Sequence, residues 1–117
     1  MAHNQKIGRW GEDVAAAFLL ERGYMMLEKN ARTPYGEIDL VVGLGGVTVF
    51  VEVKTRTTRS FGLPEEAITP RKQAHMLAAA THYAAAHQID SWQVDVIAVE
   101  GKPGKTPEIE HFENVLS

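Results

Sequence analysis

The residues best suited to chemistry lie in GEIDLVVGLGGVTVFVEVKTR, residues 36–56. Asp39 and Glu52 are carboxylates with 12 residues between them, and Lys54 stands two positions after Glu52. Both runs are otherwise apolar and rich in β-branched side chains, so each acid sits inside a segment whose composition asks to be packed. A strand that only packs has no use for charge there. With Gly45-Gly46 as the turn of a hairpin, counting outward pairs Leu44 with Val47, Val42 with Val49, Val41 with Phe50 and Leu40 with Val51. Asp39 then faces Glu52, and Glu37 faces Lys54. Alternation puts Glu37, Asp39, Glu52, Lys54 and Arg56 on one face. Ile38, Leu40, Val42, Val49, Val51 and Val53 take the other, which reads as the core face.

Two carboxylates opposite each other on a sheet repel, and one of their pKa values must rise. Lys54 offsets part of that charge, and a divalent cation offsets more. Hard oxygen ligands suit Mg²⁺ or Mn²⁺. Mg²⁺ takes one or two carboxylates, keeps several waters and binds substrate phosphate. A lysine beside such a site can orient a water or stabilise charge on a phosphate oxygen. The spacing therefore reads as metal-assisted hydrolysis of a phosphodiester. The competing reading of the same residues is the solvated face of an antiparallel hairpin with ordinary cross-strand Glu–Lys pairs. Glu-x-Lys alone does not separate the two.

The elements that position these groups follow from periodicity. Asn4–Arg22 reads as a helix, with Ile7, Gly11, Val14 and Phe18 at three- and four-residue spacing, Asn4 as N-cap and Gly23 as the stop. Strands are expected over Tyr24–Ala31, Glu37–Val42 and Val47–Arg56. Ser60–Ile68 reads as a loop with a short helical turn after Pro64. Thr69 and Pro70 start a second long helix, which ends near His87 and has Met76, Leu77, Ala80, Tyr83 and Ala84 as its apolar face. Trp92–Val99 is a fourth strand, Gly101–Pro107 a turn-rich loop, and a short fifth strand or tail starts at Glu108. This order predicts an α/β fold in which an antiparallel three-strand meander joins a mixed sheet through a helical crossover.

The totals set bounds. The 117 residues fit a single domain, and 44% apolar content supports a real core. The absence of cysteine excludes disulfides, thiolate zinc sites and a cysteine nucleophile. No apolar run approaches the roughly 20 residues that cross a bilayer, and the N-terminus lacks a signal-peptide h-region, so a cytoplasmic protein is expected. Net charge is −3 and pI about 5.9, which argues against indiscriminate nucleic-acid binding. The charge is uneven: Lys54, Arg56, Arg59, Arg71 and Lys72 face only Glu65 and Glu66 in the same stretch.

Gly36-Glu-Ile-Asp-Leu40 followed by Val49-Phe-Val-Glu-Val-Lys-Thr-Arg56 resembles the PD-(D/E)xK, restriction-endonuclease-like superfamily. More narrowly, the chain resembles the bacterial YraN-type family, itself similar to Holliday-junction resolvases. Further shared pieces are Gly8-Arg-Trp-Gly-Glu-Asp13, Asn30 through Asp39, Phe61-Gly-Leu-Pro-Glu-Glu-Ala67 with Lys72 after it, and Asp95. The resemblance implies a central mixed sheet of about four to five strands flanked by helices. It implies metal binding by Asp39 and Glu52, help from the carbonyl of Val53, a contribution from Glu12 of the first helix, and Lys54 serving the attacking water. Two departures stand out: Ile38 replaces the superfamily's proline before the metal aspartate, and Pro34 replaces a frequent basic residue.

Of the remaining residues, Gly8 and Gly11 are expected to let the first helix approach the sheet and carry Glu12 to the site. Arg32, Arg56, Arg59, Arg71, Lys72 and Gln73 are candidate nucleic-acid contacts. Asp95 is expected in a buried salt bridge to an arginine. Trp10 and Trp92 read as core, and the five histidines show no zinc-ligand spacing. Two functions remain: a Mg²⁺- or Mn²⁺-dependent endonuclease on DNA, branched DNA included, or a catalytically silent nucleic-acid-binding module working with a partner protein. Cutting a four-way junction would need two sites and hence a homodimer.

Overall fold

The computed structural model describes residues 2–57 and 68–116, with side chains from residue 6 onward. Arg59, the Phe61–Ala67 motif and the helical turn expected after Pro64 lie outside the described residues. The elements run α1 (Ala2–Glu21), β1 (Met25–Thr33), β2 (Gly36–Leu44), β3 (Val47–Arg56), α2 (Pro70–Ala86), β4 (Trp92–Glu100) and β5 (Glu108–Phe112). They form one sheet in the order β1-β2-β3-β4-β5. Strands β3 and β4 are parallel and the other neighbours antiparallel, so this is the expected mixed sheet, with α2 as the crossover. Among the described residues no helix is long and apolar enough to cross a membrane.

Local chemistry explains the helix ends. Tyr24 N–H donates to Leu19 O and Gly23 N–H to Leu20 O, at 3.1 Å each. This double closure needs a left-handed residue, and Gly23 has φ +92°. Thr69 caps α2 by accepting from Lys72 N–H at 3.2 Å, with Pro70 in the first turn. Helix α1 begins at Ala2, so Asn4 lies inside it and does not stand at the expected N-cap position.

The sheet is covered on both faces. Leu40, Val42, Val49, Val51, Ile97 and Val99 pack with Ala15, Ala16 and Leu19 of α1. Val41, Phe50 and Val94 pack with Ala79, Ala80, Tyr83 and Ala84 of α2. The hairpin register is the expected one from Leu44↔Val47 to Leu40↔Val51. Two expectations from strict alternation fail beyond it. The face assigned to the acids is not a wet face along the hairpin, because Val41 and Phe50 lie on it and are buried under α2. Ile38 belongs with Val41 on the α2 side and not with Leu40. Residues three apart share a face only if the pleat is interrupted between them. The interruption falls at Asp39: the β2–β3 ladder stops at Leu40↔Val51, and Asp39 has no partner in the β1–β2 ladder, although Lys29↔Leu40 and Ala31↔Ile38 flank it.

Candidate metal centre

Asp39 sits where β2 and β3 part. Its Oδ2 accepts the Val53 N–H at 2.8 Å, so a side chain supplies the rung that the backbone of β2 does not. The expected direct Asp39–Glu52 and Glu37–Lys54 rungs are therefore absent from the ladder. The two carboxylates are nonetheless close enough to couple. Burial, and then the charge of Glu52, push the Asp39 carboxyl up to about 7, against the opposing pull of the Val53 N–H. Glu12 adds a smaller push in the same direction. Lys54 reaches back to Glu52, Nζ to Oε1 at 3.5 Å. An extended residue directs its N–H and C=O to the same side. The Val53 N–H meets Asp39, so its carbonyl is also directed toward the parting of the two strands.

The first turn of α2 brings a second cation. Lys72 lies against Lys54, and this contact, followed by burial, lowers the Lys72 pKa, while Glu52 and Asp39 act to raise it. Two lysines and two carboxylates thus share one end of the sheet. Gln73 is turned to its own backbone, donating to Ile68 O at 3.1 Å. Arg71 is exposed, and Arg32 lies opposite Glu37 on β1. Arg56 is half-buried at the end of β3, where its carbonyl accepts the Gly101 N–H at 2.8 Å.

Glu12 approaches from α1. A Cβ on Gly11 would lie 2.0 Å from Thr55 Oγ1, so glycine is required where α1 crosses β3. The same role fails for Gly8, whose Cβ would meet nothing within 4 Å. Glu12 does not itself join Asp39 and Glu52. Its Oε1 instead accepts from Asn30 Nδ2 at 3.1 Å, and the same amide donates to Glu37 Oε1 at 3.2 Å. Asn30 has φ +51°, a conformation asparagine tolerates better than most residues. It occupies the skipped position between Lys29 and Ala31, across from Asp39. The sequence places Glu37 on the face of the acids and Asn30 in a shared motif, but assigns neither a role in the site. The signal was an asparagine inside a strand, where its propensity is poor.

Asp95 is fully buried, but its partner is not the expected arginine. His111 Nε2 lies 2.7 Å from Oδ2, while Gln93 Nε2 and Asn114 N–H donate to Oδ1 at 2.9 Å each. The antiparallel pairing of β5 with β4 delivers His111 to that spot. Asp95 lies across from Val51 on the neighbouring strand, but its carboxylate is taken up by Gln93, His111 and Asn114 and acts as a structural tie. Trp10 and Trp92 pack against the two cores, as expected.

Among the described residues no three Asp, Glu or His side chains converge on a common metal position. The groups that do meet are the Asp39 and Glu52 carboxylates, with the Val53 carbonyl directed to the same side by the strand geometry. An all-oxygen set with two carboxylates fits a hard dication that keeps waters and takes substrate oxygens as its remaining ligands. The raised Asp39 pKa points the same way, since it reflects negative charge in a desolvated place with too little counter-charge.

Fold and site together define an α/β protein with an acidic pair at the opening between two central strands. Residues 11–99 match the model of the Uncharacterised protein family UPF0102. A relative from Syntrophotalea carbinolica is 46% identical over 91% of this chain and 87% of its own length. One from Dehalococcoides mccartyi is 39% identical, covering 99% of this chain and 98% of its own. One from Syntrophomonas wolfei is 42% identical over 97% and 99%. Each carries the name UPF0102 protein. The chain belongs to the UPF0102 family.

Proposed function

We propose that this protein is a metal-dependent endonuclease that hydrolyses phosphodiester bonds in DNA, including branched DNA. The observation that carries the reading is the Asp39–Glu52 pair, with Asp39 held up to about 7 and Lys54 beside it. Asp39, Glu52 and the Val53 carbonyl would hold Mg²⁺ or Mn²⁺, with Glu12, held by Asn30, adding negative charge from α1 and not a direct bond in this arrangement. When bound, the ion supplies charge stabilisation for the phosphate and lowers the pKa of a coordinated water. Lys54 orients the attacking water and stabilises negative charge on a phosphate oxygen. Lys72 holds an adjacent phosphate. Arg32, Arg56, Arg59, Arg71 and Gln73 are candidate contacts along the backbone. Hydrolysis adds the water's hydroxyl to phosphorus, breaks the bond from phosphorus to a deoxyribose oxygen and gives the water's remaining proton to that departing oxygen. Cleavage of a four-way junction would use two copies of the chain.

The test is cleavage of labelled duplex, single-stranded and four-way-junction DNA with Mg²⁺, Mn²⁺ or EDTA, comparing wild type with Asp39→Asn and Lys54→Ala. Metal-dependent cutting that disappears in both variants supports the proposal. Equal cutting by the variants refutes it.

A second reading is a nucleic-acid-binding module without turnover, acting with a partner protein. It is favoured by one observation: Glu12 is bonded to Asn30 and does not converge on Asp39 and Glu52. This reading requires metal-independent DNA binding and no cleavage of any substrate.

A further inference from the structure

A cleft lies between α2 and strands β2 and β3, directly beside the acidic pair. Its volume is about 200 Å³, larger than the roughly 150 Å³ of an apolar cavity that accepts benzene. Its floor is apolar: Ile38, Phe50, Ala79 and Val94 line it. Met76 adds a thioether wall, a soft surface well suited to the edge of an aromatic ring. The proposed catalytic site uses none of these groups.

We propose that this cleft receives one unpaired nucleobase of the substrate. The inference rests on the reading of the site as a DNA nuclease and names the structural class of DNA it acts on. Continuity carries it: Glu52 and Lys72 belong to the acidic site and also line the cleft. A nucleotide whose phosphate lies at Lys54 and Lys72 therefore has its base at the mouth of the cleft. The rim provides the few polar groups that orient a ligand on an apolar floor. Glu37, fixed through one oxygen by Asn30, stands on this rim and can accept from a donor on the edge of the base, such as the thymine N3–H. His75 and the exposed ring of Tyr35 complete the rim.

The cleft acts as a filter for DNA structure. A base in a continuous duplex must lose its pairing and stacking before it can enter a pocket, whereas a base at a branch, bulge or strand end is already released. Affinity should follow the presence of a free base next to the bound phosphate, not sequence.

The experiment measures binding by fluorescence anisotropy in Ca²⁺ to three otherwise identical DNAs: fully paired, with one unpaired thymine, and with an abasic site in place of that thymine. The unpaired thymine is expected to bind roughly tenfold tighter than the abasic site, in the range of base stacking on protein. Ala79→Leu, which fills the cleft, should abolish that difference while Mn²⁺ affinity stays unchanged. Equal affinity of wild type for the thymine and abasic DNAs would overturn the inference and leave the nuclease reading standing. No binding to any of the three would overturn both. Should Ala79→Leu fail to fold, the wild-type comparison alone decides.

Discussion

The Asn30 amide donates to Glu12 at 3.1 Å and so ties α1 to β1 directly across from Asp39. A second bond from the same amide reaches Glu37 on β2, so one side chain fixes two acids from two elements. If Glu12 contributes to metal binding, Asn30 decides where it stands. Asn30→Gly keeps the left-handed backbone but deletes the amide. Calorimetric titration with Mn²⁺ should show affinity falling about tenfold, as for other residues that orient ligands without touching the ion. Unchanged affinity would remove Glu12 and Asn30 from the site.

The raised pKa of Asp39 has a definite sign in the energetics. Its carboxyl holds its proton to about pH 7 in the folded chain, against about 4 in the unfolded chain. The folded state therefore binds more protons at this group between those values, and the contribution of Asp39 to the stability of the metal-free protein falls as pH rises from about 4 to 7, then levels off. The loss is on the order of 3 kcal/mol, given partial exposure and coupling to Glu52. Asp39→Asn cannot ionise, so urea unfolding at a series of pH values should show a flatter profile and a more stable protein at pH 8. Mn²⁺ needs the ionised form, so its affinity should climb through the same window with release of a proton. A wild-type profile parallel to that of the variant would contradict the assignment.

Contact between Gly11 and Thr55 predicts a cost for any larger residue in α1. Gly11→Ala drives a methyl group into the Thr55 side chain and should destabilise by about 1–3 kcal/mol. Thr55→Ala removes Oγ1 and should recover part of that loss, visible as a coupling energy in a double-mutant cycle by urea unfolding. Strict additivity would show that α1 shifts freely on the sheet.

Asp95 supplies the contrasting case. Asp95→Ala leaves His111, Gln93 and the Asn114 N–H without their acceptor and should cost about 3–5 kcal/mol. Calorimetric Mn²⁺ affinity should remain at the wild-type value, because the role is to tie β5 and the following segment to β4. A weakened metal affinity in a folded Asp95→Ala protein would return this residue to the site.

The hairpin from Leu40 to Val51 was legible because a period of two and a Gly-Gly turn leave little freedom in register. The cap at Thr69 and the stop at Gly23 were legible for similar local reasons. Ile38 was misplaced because alternation holds only while a ladder continues, and this ladder ends at Leu40. Nothing local announces that a side chain takes over the next rung. Asn30 was missed because its value depends on where α1 and β2 bring Glu12 and Glu37. His111 was missed because it stands 16 residues from Asp95 and meets it only once β5 has paired.

The bond from Val53 N–H to Asp39 makes a carboxyl with a raised pKa serve as a cross-tie where the β2–β3 ladder ends. Its length therefore matters as much as its charge. An aspartate reaches that N–H at 2.8 Å. A glutamate carries the same charge on one more methylene and would have to buckle or spread the strands at this point. Asparagine keeps an acceptor of the right length and would leave the opening intact, while alanine would let it unzip. Position 39 thus works as a ruler for the gap in which chemistry is proposed, and substitutions there should sort by reach before they sort by acidity.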